Sequence, residues 1–149
     1  MLNFSVYRFK LKADEKLKLP WFLGNALRGA FGRSFRTLVC SFPRRDCSSC
    51  QLQEDCPYAR VFSPSHPQGV NRLKSLAQIP RPFVIRTDFE PAKELAPGDE
   101  FTFEIVIVGL ARKYLPYFLI SIQQLGAQGF GQREMQGKLY LESVETYSP

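Results

Sequence analysis

Residues 4–12, FSVYRFKLK, alternate in polarity. Tyr7, Phe9 and Leu11 fall on one side of an extended chain, and Arg8, Lys10 and Lys12 on the other. That is the period of a half-buried strand. The stretch KADEKLKLP then turns the chain. After Pro20 the spacing changes. Leu23, Leu27, Phe31 and Phe35 recur at every fourth position, with Ala26, Ala30 and Leu38 beside them. This predicts an amphipathic helix from near Pro20 to about Val39, with proline suiting its first turn. Its polar face carries Asn25, Arg28, Gly29, Gly32 and Arg36, with Arg33 to one side. A glycine inside a helix costs roughly 1 kcal/mol against alanine. Two on one face therefore imply the close approach of another backbone, either a ligand's or a neighbouring loop's.

The regular pattern lapses over residues 40–80 and returns at RPFVIRT, a short strand around Pro82–Thr87. APGDE reads as a turn, and EFTFEIVIVG as a longer strand with Phe101, Phe103, Ile105 and Ile107 on one face. A second helix follows. Leu115, Phe118, Leu119, Ile122 and Leu125 keep helical spacing, Pro116 lies in the first turn, and Gly126 stands where a C-terminal cap belongs. A glycine-rich segment, GAQGFGQREMQG, leads into a last strand, KLYLESVE. The order β-α-β-β-α-β predicts an α+β, ferredoxin-like fold: a four-stranded antiparallel sheet with both helices on one face. RNA-recognition motifs share this topology, as do many unrelated functions.

Length narrows the organisation. A chain of 149 residues fits one domain or half of a two-domain protein. Thirteen phenylalanines supply a core. No apolar run approaches the ~20 residues of a membrane helix, and the N-terminus MLNFSVYRFK is not a signal peptide. The expected location is cytoplasmic, with no membrane partner. The net charge of +6 is uneven: residues 1–74 hold 13 Lys or Arg against 5 Asp or Glu, and residues 75–149 hold 7 against 9. A basic half suits a polyanion, although charge alone does not separate that reading from an ordinary solvated surface.

The 40–80 stretch holds all four cysteines, five of the eleven prolines and the only histidine. So long an irregular segment inside a domain is unusual unless it is stapled or functional. Cys40, Cys47, Cys50 and Cys56 are spaced C-x6-C-x2-C-x5-C. The C-x2-C step lets two thiolates face one ion across a tight turn, and two more complete a tetrahedron. Structural zinc is the expected cofactor. An iron–sulfur cluster, which also takes four thiolates, disulfides and free thiols are the alternatives. Four thiolates leave no open position, so such a metal would be structural.

Within the glycine segment, Gly129-Phe130-Gly131, five residues and then Gly137 form a G-h-G-x5-G pattern, where h is apolar. This resembles the glycine-rich loop of the RAMP superfamily of CRISPR-associated proteins. The series LPWFLGNALRGAFGRSFRTLVC, C-x2-C, CPYARVF and PRPFVI resembles the N-terminal part of the branch that processes precursor crRNA. The likeness spans nearly the whole chain. It implies one ferredoxin-like RAMP domain over 1–149 with a metal-binding loop inserted at about 40–80, and without the second such domain that these proteins usually carry. It implies CRISPR repeat RNA or crRNA as partner, with other CRISPR effector subunits beside it. Three features depart from the pattern. Leu139 follows Lys138 where a further h-G is common, the chain stops at Pro149, and the first helix has no histidine.

RNA also fits the residues themselves. Glycines let backbone N–H groups approach a phosphate, and Arg133 within the loop pairs with one. Gly129, Gly131, Gly137 and Arg133 are thus expected to form one RNA-binding surface with Arg28, Arg33 and Arg36. Valine at position 131 is expected to push the phosphate away and leave the fold intact. If the protein cleaves, the resemblance implies a metal-independent attack of the RNA 2′-hydroxyl that leaves a 2′,3′-cyclic phosphate. His66 would then move a proton, while Arg28 and Arg36 hold the scissile phosphate. The alternatives are an incidental surface histidine and a solvated helix face. Tyr58 either stacks on a base or donates a proton, or it packs beside the cysteine loop.

Overall fold

The computed structural model describes residues 3–66, 75, 78–88 and 93–147. Residues 67–74 and 76–77 of the expected 40–80 insertion lie outside the described residues. Four strands form the main sheet: β1 (Phe4–Ala13), β3 (Phe83–Arg86), β5 (Glu100–Val108) and β8 (Leu139–Tyr147). Their spatial order is β3-β5-β1-β8, and every neighbouring pair is antiparallel. The first strand in the chain thus lies between the third and fourth of this set, as the βαββαβ order predicts. The pairing Phe9↔Phe103 and Leu11↔Phe101 puts the apolar positions of β1 and β5 on one face.

That face is covered by α1 (Leu23–Val39) and α3 (Leu115–Gln128). Leu23, Leu27, Phe31 and Phe35 of α1 join Phe118, Ile122 and Leu125 of α3 in a single core with Phe9, Leu11, Phe101, Phe103 and Leu139. Phe31 is at its centre. Its ring centroid lies 5.1 Å from Phe118, 5.3 Å from Phe62, 5.6 Å from Phe83 and 5.7 Å from Phe35. Such offset and edge-on arrangements are favoured by aromatic pairs.

Three local details differ from the sequence expectation, each for a packing reason. Helix α1 starts at Leu23, after Pro20, because the preceding residues are held extended. Leu17–Lys18 (β2) pairs with Glu94–Leu95 (β4), and Leu19 N–H donates to Lys93 O at 2.8 Å. Helix α3 runs past Gly126 and is capped by Gly129, whose φ of 99° is in the left-handed region that favours glycine. Gly126 is instead a packing glycine: a Cβ there would stand 2.4 Å from Leu139 O of β8. Finally, the 40–80 stretch contains a short helix, α2 (Pro57–Phe62), whose Val61 and Phe62 enter the core.

The opposite face of the sheet carries a charged network beside a strip of Val6, Val84 and Val106. Glu104 on β5 accepts from Arg8 Nη2 at 3.1 Å, from Arg86 and from Tyr147 Oη. The Tyr147 hydroxyl, followed by the two guanidiniums, holds the Glu104 carboxyl below its ordinary value of 4.5. A depressed carboxylate pKa adds stability above the unfolded-state pKa, and that stability is lost as pH falls through the folded value. Glu104→Gln is therefore expected to melt below the wild type at pH 7. The difference should close as pH drops below about 4. Thermal melts from pH 7 to pH 3 check this, and a gap that stays constant would contradict it. Among the described residues no helix is long and apolar enough to cross a membrane.

Candidate nucleic-acid interface

The polar side of α1 faces a groove of about 410 Å3. Arg28, Arg33 and Arg36 line it from α1, with Asn25 at one end; Tyr58 and Phe62 of α2 and Arg81, just before β3, line the rest. Among the described residues no carboxylate lines it. The two helix glycines lie in this groove. At Gly32 an added Cβ would meet the Phe62 ring at 3.2 Å, so glycine admits α2 against α1. At Gly29 the nearest atom is Arg33 Nη1 at 3.4 Å, so the missing side chain leaves the groove open. Of the two readings of these glycines, Gly32 follows the neighbouring-loop one.

The four arginines are held in different ways. Arg28 lies over the Phe83 ring at 5.4 Å and is exposed, as is Arg33. Arg81 donates from Nε to Phe62 O at 3.0 Å and lies 5.5 Å over the Phe62 ring. Arg36 is more constrained. Its Nη2 donates to Pro43 O at 3.0 Å and Arg45 O at 3.2 Å, and its guanidinium sits over Tyr58 at 5.5 Å. Arg36 thus ties the groove to the cysteine loop. Tyr58 does so too: its ring stacks on Phe62 with centroids 5.0 Å apart. It also lines the space between the cysteines.

Each cysteine stands at a chain-reversal point. Cys40 caps the C-terminus of α1, and its N–H donates to Arg36 O at 2.8 Å. Cys47 opens a 3-10 turn that closes when Cys50 N–H donates to Cys47 O at 3.2 Å, with Asp46 accepting from Ser48 N–H. Cys56 is the N-cap of α2 and is followed by Pro57 at the first helical position. All four line one cavity of about 20 Å3, together with Phe42 and Tyr58. Each is a free thiol. Burial pushes the Cys47 thiol up, Arg36 opposes this, and Cys56 and Cys40 add to it. Four thiols around one small space are the donor set a tetrahedral zinc takes. Among the described residues no three His, Cys, Asp or Glu side chains yet stand close enough to hold an ion.

The glycine segment is a hairpin, β6 (Phe130–Gln132) and β7 (Met135–Gly137), packed on β2. What comes close to its backbone is the chain itself. A Cβ on Gly131, at φ 134°, would stand 2.7 Å from Met135 O and 2.9 Å from Lys18 O. One on Gly137 would stand 2.6 Å from Lys16 O. Gln132 Nε2 donates to Leu19 O at 3.3 Å. These glycines therefore answer to packing against residues 15–18. Arg133, in the turn between the two strands, is exposed. The structure brings Arg28, Arg33 and Arg36 into one groove. The lining described for the groove includes no hairpin residue, and the space beside Gly131 is taken up by Met135 O and Lys18 O. His66 is exposed and does not line the groove. Arg81 is the groove residue that sequence reasoning missed: it sits between Pro80 and Pro82, where no periodicity marks a face.

Comparisons with known proteins agree with this architecture. The chain is 30% identical over 131 residues to an uncharacterized protein of Archaeoglobus fulgidus, covering 86% of this chain and 43% of that one. The chain thus spans less than half the length of this curated relative. A chain in the crystal structure of the Csm3-Csm4 subcomplex in the type III-A CRISPR-Cas interference complex has the same fold. The TM-score is 0.58 at 13% identity, covering 96% of this chain and 77% of that one. The family AF_1859_N, an N-terminal domain, matches residues 2–149. Matched over that length, the chain belongs to the AF_1859_N family.

Proposed function

We propose that this chain binds single-stranded CRISPR RNA, either crRNA or its repeat precursor, as a RAMP-type subunit of a CRISPR effector assembly. The observation that carries the reading is the groove in which Arg28, Arg33, Arg36 and Arg81 converge, with no carboxylate among the described residues that line it. Guanidiniums in that setting suit a phosphate backbone. The likeness of fold to a chain of the Csm3-Csm4 subcomplex supports the partner class. The sheet face suits bases poorly: Arg8, Glu104 and Arg86 are paired there, and Tyr147 is engaged by both Arg8 and Glu104. The RNA is therefore assigned to the helical side. Arg133, on the hairpin turn, adds a more distant phosphate contact.

Zinc belongs to this proposal as a structural cofactor held by Cys40, Cys47, Cys50 and Cys56. When bound, it supplies a cross-link and no reactive position. Its role in binding is indirect, because the loop it staples provides the carbonyls of Pro43 and Arg45 that orient Arg36.

The resemblance to processing enzymes adds a finer reading, in which the chain is the N-terminal domain of a metal-independent endoribonuclease. Arg28 in the groove favours it as a phosphate clamp. The position of His66 outside the groove, and the hydrogen bonds that hold Arg36 on the cysteine loop, favour binding without cleavage. Incubating the protein with end-labelled repeat RNA in EDTA separates the two. A retarded complex with intact RNA is the expected result. Fragments ending in a 2′,3′-cyclic phosphate would establish the enzyme, and the absence of any complex would contradict both.

A further inference from the structure

Two large aromatic side chains stand in water at the start of α1. Trp21 is 63% exposed and Phe22 78%. Neither is needed for the helix cap, since Phe22 caps α1 through its backbone alone. Two adjacent exposed rings beside a cavity are a candidate contact surface. The pair borders a second cavity, of about 250 Å3, whose other walls include Gly24, Asn25, Thr87 and Asp88. Asn25 lines this cavity and the arginine groove alike, so the two adjoin at the N-terminal part of α1.

Their chemistries differ in a useful way. Among the described residues the groove holds four guanidiniums and no carboxylate. The cavity holds two aromatic rings, and among the described residues the one charged side chain lining it is the carboxylate of Asp88. A phosphate is favoured in the first and repelled from the second. A nucleobase suits the second. Its faces stack on Trp21 or Phe22, and its amino or imino groups donate to Asp88 or to the side-chain oxygens of Asn25 and Thr87. Proteins that hold single strands combine these two parts, a basic track for the backbone and aromatic platforms for the bases.

Resting on the RNA-binding reading, we infer that the cavity bordered by Trp21 and Phe22 is a base-stacking subsite. It takes an unpaired nucleobase of the strand whose phosphates lie in the Arg28–Arg33–Arg36–Arg81 groove. The subsite selects single-stranded over duplex RNA, because a base must leave its stack to enter it.

Trp21 is the only tryptophan in the chain, so its emission reports on this site alone. The probes are a twelve-nucleotide single-stranded RNA of mixed sequence and an abasic oligomer with the same number of phosphates. The RNA is expected to quench Trp21 emission saturably, while the abasic oligomer binds roughly tenfold more weakly and leaves the emission unchanged. Phe22→Ala should weaken RNA binding by about the same factor and leave abasic binding as it was. Phe22 is exposed, so circular dichroism should show an unchanged fold. Equal affinities for the two oligomers with unquenched emission would overturn the subsite while leaving the groove reading intact. No binding of either oligomer would overturn both. If Phe22→Ala instead abolishes self-association in light scattering and leaves RNA affinity untouched, the patch is a protein contact and the subsite is refuted.

Discussion

Replacing Cys50 by serine is expected to cost more than about 4 kcal/mol, the scale of losses that accompany a missing metal. For a chain of this size that is on the order of 10 °C in melting temperature. The reason lies in the connection from loop to core. The four cysteines sit at the end of α1, on either side of a 3-10 turn and at the start of α2. Val61 and Phe62 of α2 are buried in the core, with Phe62 against Phe31, Phe35 and Phe83. Because the binding energy of a structural metal is folding energy, losing one ligand of the proposed zinc should release the loop and loosen α2 with it. Limited proteolysis should then cut within residues 41–55. Protein purified without added metal should carry about one zinc per chain by elemental analysis. Iron with inorganic sulfide, or two disulfides by intact mass, would contradict the assignment.

Gly131→Val is the second large effect, and its direction reverses the expectation drawn from sequence. Read from sequence, glycine at 131 leaves room for a phosphate, and valine should weaken binding with the fold intact. In the structure that room is filled by Met135 O and Lys18 O. Valine would need a left-handed backbone at φ 134° and the displacement of two backbone carbonyls. The expected loss is roughly 3 kcal/mol, the sum of backbone strain and the clash. Urea denaturation should show a lower midpoint with an unchanged slope. RNA affinity measured on the folded fraction should remain near that of the wild type. A stable Gly131→Val protein with weakened binding would restore the phosphate-cradle reading.

These two cases show where sequence patterns carry information and where they stop. The four-residue stripe of α1 and the alternation in β1 and β5 are consequences of burial, and burial is periodic. They place the core and the βαββαβ order correctly. A glycine carries no side chain and so no direction. Gly126, Gly131 and Gly137 each signal that something approaches, and the sequence does not say what. In the fold, β8 approaches the first and residues 15–18 the other two. Helix α2 went unread because its six residues are too few to establish a period, although Cys56-Pro57 marks its start. Arg81 reaches the groove from a segment between two prolines, a placement that depends on tertiary packing. Arg28 and Arg33 were legible because a helix fixes the face on which they lie.

The central claim is that phosphates bind along the exposed arginines of α1. The most direct measurement is a salt series of binding to a single-stranded RNA for three proteins: wild type, Arg28→Gln/Arg33→Gln, and Lys10→Gln/Lys12→Gln. The last pair removes the same charge from the opposite sheet face, where Lys10 and Lys12 pair with Glu100. Two lost charge-assisted contacts should weaken the α1 variant on the order of a hundredfold at low salt. Its plot of log affinity against log salt should be shallower by roughly 1.4, two charges at about 0.7 each. The sheet variant should parallel the wild type. Equal slopes for all three proteins, or a loss confined to the sheet variant, would contradict the account.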